Sequence, residues 1–470
     1  MSTLGQKPAT QHVSTEKQTI TGNGGTSYTL QQSVSQAADI EVFVNNTRQE
    51  PTAAYTANNT TLTMTGVVNS SDSFYVIFQG KAIQTAGLPV DAAITASAIT
   101  ASQTITSTGN ITTSGTLNTP SINGGQIGGR RNIIINGAMQ VAQRGTSASG
   151  SQGYPTCDRF QYNLAGTVGA STVTQNTVTD LPGFTKSLKV DVTTADASLA
   201  TSDRLTLVYK IEGQDIQQVS KGTSSAEQLT LSFYIKATKT GTQIVELFDH
   251  DNTRHCAKSV TINSSNTWEK KTITYPADTT GAFDNDNAQS LSIFFGLAVG
   301  TNFTSGTLAT AWAANNNTNR FVGQVNHFDN TDNNFEITGV QLEVGSQATP
   351  FEYRSFGEEL ALCKRYFHRW DSTASVYNNL CMGYTLSATL GRGVVNYPVN
   401  MRAAPTLAHD GTFRVYDGSA SRSVSDITVN RASTNEMFIS FTTSSATINR
   451  PAELGANNDA TCTIDFIAEL

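Results

Sequence analysis

The residues of this chain that could do chemistry are a few clustered carboxylates. Asp249, Asp251, Asp284 and Asp286 could supply the two carboxyl groups, about 5–9.5 Å apart, that cleavage of a glycosidic bond needs. Each lies in a stretch rich in Asn and Asp, however, and such stretches are typical of turns. The segment DHDNTRH, which ends at His255, offers oxygens and imidazoles but lacks the spacing of a calcium loop or a zinc site. We therefore expect no catalytic residue and no metal site.

The chain also lacks the short motifs of nucleophilic and cofactor-dependent enzymes. It contains no G-x-S-x-G, no H-E-x-x-H, no phosphate-binding P-loop and no dinucleotide fingerprint. Such motifs place a nucleophile, a pair of zinc ligands or a backbone cradle where the reaction needs it. The sequence accordingly predicts a protein without a cofactor and without enzymatic activity.

Aromatic side chains are better candidates, and their chemistry is binding. Proteins hold saccharides by packing a ring against the apolar C–H face of the sugar, beside polar groups that bind its hydroxyls. Trp312 lies in a loop of small residues, TLATAWAANNN, which favours exposure, and Trp370 follows a predicted helix. The other candidate binding residues are closer to the C-terminus: Tyr377, Tyr384, His409 and Tyr416. Each ring could instead pack in a core or between chains.

The composition excludes several classes of partner. The chain has 470 residues with 30 Lys and Arg against 37 Asp and Glu, a net charge of −7, so no basic excess attracts nucleic acid or anionic lipid. No apolar run approaches the roughly 20 residues that cross a bilayer, and the first residues lack the features of a signal peptide. We expect neither nucleic-acid binding nor membrane insertion. Five cysteines without a C-x-x-C pair predict isolated reduced thiols, which fit assembly in a cytoplasm.

The elements that must position these residues are mostly strands. Ile40, Val42 and Val44 share one face of an alternating segment that stops at Asn45 and Asn46, which is typical of a strand entering a tight turn. The segment SFYVIFQ, residues 73–79, predicts another strand, apolar on both faces. We assign residues 1–86 to a small N-terminal β-domain.

Residues 87–130 differ, because they are nearly free of charge and of aromatic rings. Single aliphatic residues recur there every five or six positions, a spacing that suits extended chain and not an α-helix. One such chain buries too little apolar area to offset its backbone entropy, whereas three chains wound together bring three aliphatics to each level. The pattern predicts a thin trimeric shaft, and the alternative is a flexible Ser/Thr-rich linker. The predicted shaft core is Ile99, Ile105, Ile111, Leu117, Ile122 and Ile127.

Alternation resumes over residues 131–354 and predicts an antiparallel β-sandwich. Leu205, Leu207 and Tyr209 share one face of a strand, and many similar short strands follow with turns between them. A change of phase at Gly339 predicts a β-bulge. Ser355 and the glutamate three residues later form a capping box that predicts one short helix near 355–367, which with its flank to residue 370 connects to a C-terminal β-domain at 371–470.

Several segments resemble the tail-fibre proteins of tailed phages, especially marine ones and cyanophages. ITGVQLEVGSQATPFEYRSFGEELALCKRYF, residues 337–367, is similar to the end of their sandwich module, and NIIINGAMQVAQRG with YPTCDRFQY is similar to its start. VVNYPVNMRAAPT and the last three residues, AEL, resemble their C-terminal tip. DIEVFVNNTRQEP, residues 39–51, resembles a module that joins a fibre to the tail.

The resemblance implies a fold and a role together. It implies an all-β homotrimeric fibre: a small N-terminal β-domain, an extended β shaft, a jelly-roll sandwich of the carbohydrate-binding type and a C-terminal β tip. Such a fibre is made in the host cytoplasm, joins the virion through tail adaptor or nozzle proteins that contact its N-terminal domain, and binds a host surface polysaccharide or lipopolysaccharide distally. The alternatives are a polysaccharide-degrading tailspike and a purely structural adaptor.

Overall fold

The computed structural model describes residues 16–79 and 130–470. The chain divides into two units, Met1–Thr113 and Ser114–Leu470, and each is described by itself. The predicted shaft lies outside the described residues except for its last residue, Arg130. The shaft-core residues Ile99, Ile105, Ile111, Leu117, Ile122 and Ile127 therefore remain a prediction.

The described part of the first unit is a small β-domain with one apolar core. Its strands are β1 (Glu16–Thr19), β2 (Ser27–Val34), β3 (Ile40–Val44), β4 (Thr47–Arg48), β5 (Tyr55–Met64) and β6 (Phe74–Phe78). Four of them form a sheet in the order β1-β6-β3-β4, and β2 pairs with β5. The tight turn predicted after β3 is confirmed, since Asn45 and Asn46 have φ values of 47° and 63°, which Asn tolerates.

Twelve strands of the second unit form an antiparallel β-sandwich, as the sequence predicts. They are β7 (Ser147–Ser149), β8 (Phe160–Ala165), β9 (Ala170–Thr177), β10 (Lys186–Thr194), β11 (Arg204–Glu212), β12 (Leu229–Ala237), β13 (Gly241–Asp249), β14 (Arg254–Ile262), β15 (Glu269–Tyr275), β16 (Gln289–Val299), β17 (Ala313–Ala314) and β18 (Asn334–Val344). The first sheet has the order β15-β12-β18-β10-β9-β7, and the second sheet has the order β17-β14-β13-β16-β11-β8.

The alternating apolar residues of both sheets meet in one core. Leu205, Leu207 and Tyr209 of β11 are buried there, on the face that the sequence predicts. Phe233 from the first sheet meets Phe295 from the second edge to face, with ring centroids 5.2 Å apart. Because one face of every strand is used inward, the opposite face of each sheet is available to the connecting segments.

The bulge predicted at Gly339 is present in β18. The pairing with β12 shifts between Ser232 and Tyr234, so one extra residue of β18 is accommodated there. Gly339 has φ +61°, and a Cβ built on it would lie 2.8 Å from a ring carbon of Phe184 and 3.0 Å from a ring carbon of Tyr234. Glycine fits this position because it adopts positive φ without strain and has no Cβ to meet the two rings.

A second, smaller apolar cluster lies on the outer face of the second sheet. The long segment between β16 and β18 folds back over that face and buries Phe321 against Val208, Ile244 and Phe294. The segment stops short of the β8 edge, where the outer face stays accessible. The covering segment therefore forms a wall beside the polar outer face of β8.

The single α-helix among the described residues, α1 (Phe356–Lys364), is shorter than predicted. The Ser355 hydroxyl accepts the amide proton of Glu358 at 3.3 Å, so half of the capping box is confirmed, while the Glu358 carboxylate binds Arg130 instead of the Ser355 amide. The spacing of Phe356, Leu360, Cys363 and Phe367 predicts one apolar helix face, and of these four only Leu360 and Cys363 pack on the sandwich core. Phe356 is exposed, and Phe367 begins a strand because its backbone pairs with Ile467.

The last hundred residues form a closed barrel and a small sheet. The strands are β19 (Phe367–Asp371), β20 (Asn379–Thr385), β21 (Leu390–Asn396), β22 (Thr406–Asp410), β23 (Phe413–Tyr416), β24 (Ser421–Ala432), β25 (Glu436–Thr443), β26 (Pro451–Ala456) and β27 (Thr463–Ile467). The barrel closes in the order β20-β21-β25-β24-β23-β26, and the sheet has the order β19-β27-β22. No helix among residues 16–79 and 130–470 is long and apolar enough to cross a membrane.

Candidate functional site

The predicted binding residue Trp312 is half-buried, although its loop of small residues favoured exposure. Its indole N–H donates to the carbonyl of Pro276 at 2.8 Å, and the Lys221 ammonium lies 5.2 Å from its ring centroid. Its ring also packs against the sandwich core. The polar atom of this side chain is therefore already used within the fold.

Trp370 and His409 lie on opposite sides of β27, with Trp370 half-buried against the core of the C-terminal domain and His409 exposed. Both residues pair with Ile464, which is fully buried, so their side chains share its face of the three-stranded sheet. The rings of Trp370 and His409 lie 6.3 and 5.8 Å from the ring of Phe413. These contacts give both residues a packing role, and their predicted role in binding remains a prediction.

The three predicted tyrosines are exposed on the outside of the C-terminal domain. Tyr416 pairs with Glu453 and Tyr384 pairs with Pro451, so the two rings flank β26 on the outer face of the barrel. The Arg414 guanidinium lies 5.2 Å from the ring of Tyr377. None of these three tyrosines lines the groove on the outer face of the second sandwich sheet.

Three of the four carboxylates considered for catalysis, those of Asp249, Asp251 and Asp286, serve turns and ion pairs. Asp249 binds the Lys221 ammonium at 2.6 Å, and Asp251 accepts the backbone N–H of Asp284 at 2.9 Å. Asp286 accepts the backbone N–H of a nearby residue in its own turn. Among the residues that the structure describes, no group of three or more His, Cys, Asp or Glu side chains could hold a metal ion.

The site that the structure adds is a groove on the outer face of the second sheet, here called the sandwich groove. Its volume is about 330 Å³, and it lies between the β8 edge and the segment that covers the rest of the sheet. Its lining is Gln152, Gln161, Asn163, Arg204, Val208, Lys210, Phe248, His250, Gln289, Phe294 and Arg320. Amides and cations dominate this list, and it contains no Asp or Glu.

Two side chains on the edge strand of the sandwich groove have free hydrogen-bonding groups. Gln161 and Asn163 alternate along β8 with the buried Phe160 and Tyr162, so both amides point to the outer face. Neither amide has a hydrogen-bond partner among the described residues. At about 3.4 Å per residue the two positions are about 7 Å apart, close enough to bind neighbouring groups of one ligand.

The floor of the sandwich groove is held by a buried ion pair. The Arg320 guanidinium binds the Glu246 carboxylate through two nitrogens, at 2.8 and 2.6 Å, and His255 binds the same carboxylate at 2.8 Å. The guanidinium also lies about 5 Å from the rings of Phe248 and Phe294. Arg320 thus lies beside both rings, and the groove offers mainly polar groups and none of the aromatic residues predicted to bind.

The histidine of the sandwich groove is neutral. Burial, followed by the charges of Lys210 and Arg320, lowers the pKa of His250 to about 4. Its Nε2 lies 2.7 Å from Nε2 of Gln289 and 3.1 Å from the Ser292 hydroxyl. Since the Gln289 amide nitrogen can only donate, Nε2 of His250 accepts and Nδ1 carries the proton.

Sequence reasoning missed the sandwich groove for a clear reason. The alternation in FQYNLA of β8 and in RLTLVYKIE of β11 does indicate that Gln161, Asn163, Arg204 and Lys210 share the outward face of their strands. The pairing of β8 with β11, however, joins residues about forty positions apart. The wall comes from a segment more than a hundred residues further along, and no local pattern places it.

No protein-family model matches the chain, and no curated protein matches it. Three solved structures that align with this chain are the enzymatically active domain of tailspike protein 4 of bacteriophage CBA120 (15% identity, 45% of this chain and 21% of that chain, TM-score 0.24), a xylan-binding domain from Paenibacillus barcinonensis (11%, 44% and 100%, 0.20) and the family 11 carbohydrate-binding module of a cellulosomal cellulase of Clostridium thermocellum (14%, 46% and 96%, 0.19). The chain spans about a fifth of the tailspike domain. At these identities and TM-scores the alignments assign no ligand or activity to this chain.

Proposed function

We propose that this chain is a phage tail-fibre protein that binds a host cell-surface glycan in the sandwich groove and does not cleave it. The observation that carries the binding proposal is the set of unpartnered groups around the groove. The Gln161 and Asn163 amides and the Arg204 guanidinium make no hydrogen bond or ion pair with any described residue, although buried and half-buried polar groups are otherwise mostly paired.

Saccharide hydroxyls would satisfy these groups. A side-chain amide offers both a carbonyl acceptor and two N–H donors, so one Gln or Asn can bind two adjacent hydroxyls of a ring. The Gln289 amide and the neutral His250 on the opposite side of the groove are already ordered by Ser292. Because these side chains are already ordered, binding of a ligand costs less side-chain entropy.

The lining of the sandwich groove supports binding without cleavage. Hydrolysis of a glycosidic bond uses two carboxyl groups on either side of the bond. The polar lining of the groove consists of amides, cations and one histidine, and the buried carboxylate of Glu246 is bound by Arg320 and His255. This carboxylate holds Arg320 and His255 in place and is not part of the lining of the groove.

The fibre architecture belongs to the same proposal. The resemblance of residues 337–367 to phage fibre modules, together with the spacing of the aliphatic residues before Arg130, supports a homotrimer whose N-terminal domain contacts tail adaptor proteins. A trimer presents three sandwich grooves. Linked sites raise overall avidity by about 10²- to 10⁴-fold without any new contact, so a weak groove suffices for stable adsorption.

The test of binding is a saccharide array of bacterial surface polysaccharides and neutral and acidic oligosaccharides. The wild type should bind a restricted set, and the double variant Gln161→Ala/Asn163→Ala should lose about 10- to 100-fold in affinity, since each hydrogen bond contributes about 0.5–1.5 kcal/mol. Gln228→Ala is the matched control, because this glutamine is exposed on the sandwich away from the groove.

Each part of the proposal has its own contrary result. Equal binding by the double variant and the wild type would exclude the sandwich groove as the site, and release of new reducing ends from a bound polysaccharide would exclude binding without cleavage. A mass of about 50 kDa for the native particle in solution, equal to one chain, would contradict the trimer.

A further inference from the structure

Arg204 is the least satisfied charge in the sandwich groove. It begins β11 and pairs through its backbone with Ala165 and Val299, so its side chain leaves from the outer face of the sheet. Its Nε is buried without a hydrogen-bond partner, and the guanidinium lies 5.2 Å from the ring of Phe303. No carboxylate of residues 16–79 or 130–470 forms an ion pair with it.

The surroundings of Arg204 make this arrangement costly without a ligand. Burial and the neighbouring charge of Arg320 lower the pKa of Arg204, and burial is also the main cause that lowers the pKa of Lys210. The Lys210 ammonium has one close partner, an oxygen of Leu470, the last residue of the sequence, at 2.6 Å. An unpaired cation in a partly desolvated place raises the free energy of the folded chain until an anion pairs with it.

The charge pattern of the sandwich groove is opposite to that of the whole chain. Three cations, Arg204, Lys210 and Arg320, line it, no acidic residue does, and yet the chain carries a net charge of −7. Arg320 is paired with Glu246 and Lys210 contacts an oxygen of Leu470, so among the three only Arg204 lacks a polar partner in the described residues. A local excess of positive charge in a cleft attracts anions and concentrates them there.

We propose that the sandwich groove selects an anionic saccharide and that Arg204 binds the carboxylate of a uronic acid residue in it. This inference rests on the proposed function, since it names the class of glycan that the same groove takes. The planar guanidinium matches a carboxylate with two parallel N–H···O bonds. Gln161 and Asn163, on the neighbouring strand, then bind hydroxyls of the same sugar, because Asn163 pairs with Thr206, two residues from Arg204.

The experiment compares each uronic-acid oligosaccharide with its carboxyl-reduced form, which keeps every hydroxyl but loses the charge. Titration calorimetry on the full chain should show that reduction weakens binding by about 10- to 100-fold, the range for a hydrogen bond to a charged group. Added salt should weaken only the acidic ligand. Arg204→Gln should bind both forms equally, whereas Arg204→Lys should retain part of the preference. Arg431→Gln, at an exposed arginine on the barrel, is the matched control.

The outcomes separate this inference from the proposed function. If carboxyl-reduced and acidic oligosaccharides bind equally well, the groove binds glycans but the role of Arg204 is wrong. If only sulfated chains such as dextran sulfate bind, the anion is a sulfate ester and the uronic acid is excluded. If no saccharide binds, both proposals fail. Should Arg204→Gln not fold, the carboxyl-reduction and salt experiments on the wild type still decide.

Discussion

The most demanding prediction concerns the buried ammonium of Lys221. Its Nζ lies 2.6 Å from a carboxylate oxygen of Asp249, 3.1 Å from one of Asp278, and 3.0 and 2.7 Å from the carbonyl oxygens of Thr280 and Gly281. The side chain is only 2% exposed. Four oxygens around one cation, with two of them charged, make Lys221 the counter-ion that allows this cluster to be buried.

Lys221→Met removes that charge and keeps most of the volume. Breaking a buried ion pair by removing one partner costs about 3–5 kcal/mol, and at roughly 2–4 °C per kcal/mol the melting temperature should fall by about 6–20 °C. Scanning calorimetry measures it directly. Lys189→Met is the matched control: its surface pair with Asp191, at 3.3 Å, should contribute little, so its melting temperature should change by about 2 °C or less.

Two further variants test whether the loss of stability comes from the missing positive charge. Lys221→Met/Asp249→Asn should recover part of the loss, because Asp249 is the carboxylate left without a cation, whereas Asp278 keeps its pair with Arg254. In Lys221→Ala the same carboxylate and carbonyl oxygens suit Ca²⁺, so millimolar CaCl₂ should raise the melting temperature of that variant and leave the wild type unchanged. If Lys221→Met has the same melting temperature as the Lys189→Met control, Lys221 is not the counter-ion that this buried cluster needs.

Three other predictions concern stability. Gly339→Ala should cost about 1–3 kcal/mol in urea unfolding because the new Cβ meets the Phe184 and Tyr234 rings at positive φ, and an unchanged midpoint would contradict the bulge. Burial lowers the pKa of His327 to about 3, below its unfolded value near 6.5, so its contribution to stability is present above pH 6.5 and is lost as the pH falls towards 3. Between pH 6 and 4, His327→Gln should therefore lose stability less steeply than the wild type, by up to roughly 1.4 kcal/mol per pH unit, and parallel slopes would disprove this. Ser355→Ala should cost about 1 kcal/mol through the lost cap, visible as a lower urea midpoint, and no change would show that the 3.3 Å bond is not formed in solution.

Local patterns were sufficient to predict the strands and their turns. Alternation in β11 predicts its buried face because side chains point to opposite sides of a strand whatever its partners. The turn at Asn45 and Asn46 and the bulge at Gly339 follow from backbone conformations that few residues tolerate. In each case the physical cause lies within a few residues of its effect.

Features made by distant segments could not be predicted in the same way. Phe367 continues the helical spacing of α1, but its backbone pairs with Ile467, a hundred residues away, and that pairing ends the helix early. The sandwich groove likewise needs β8, β11 and the covering segment together. The aromatic residues were chosen for their chemistry alone, and for Trp312, Trp370 and His409 the fold already uses the rings or their polar atoms.

The measurement that tests the central claim most directly is a crystal structure of the protein with an oligosaccharide selected on the array. We predict that the sugar lies in the sandwich groove, with its hydroxyls bound to the Gln161 and Asn163 amides and an acidic group on Arg204. A sugar bound only at the exposed tyrosines of the C-terminal barrel, with the groove filled by water alone, would contradict it.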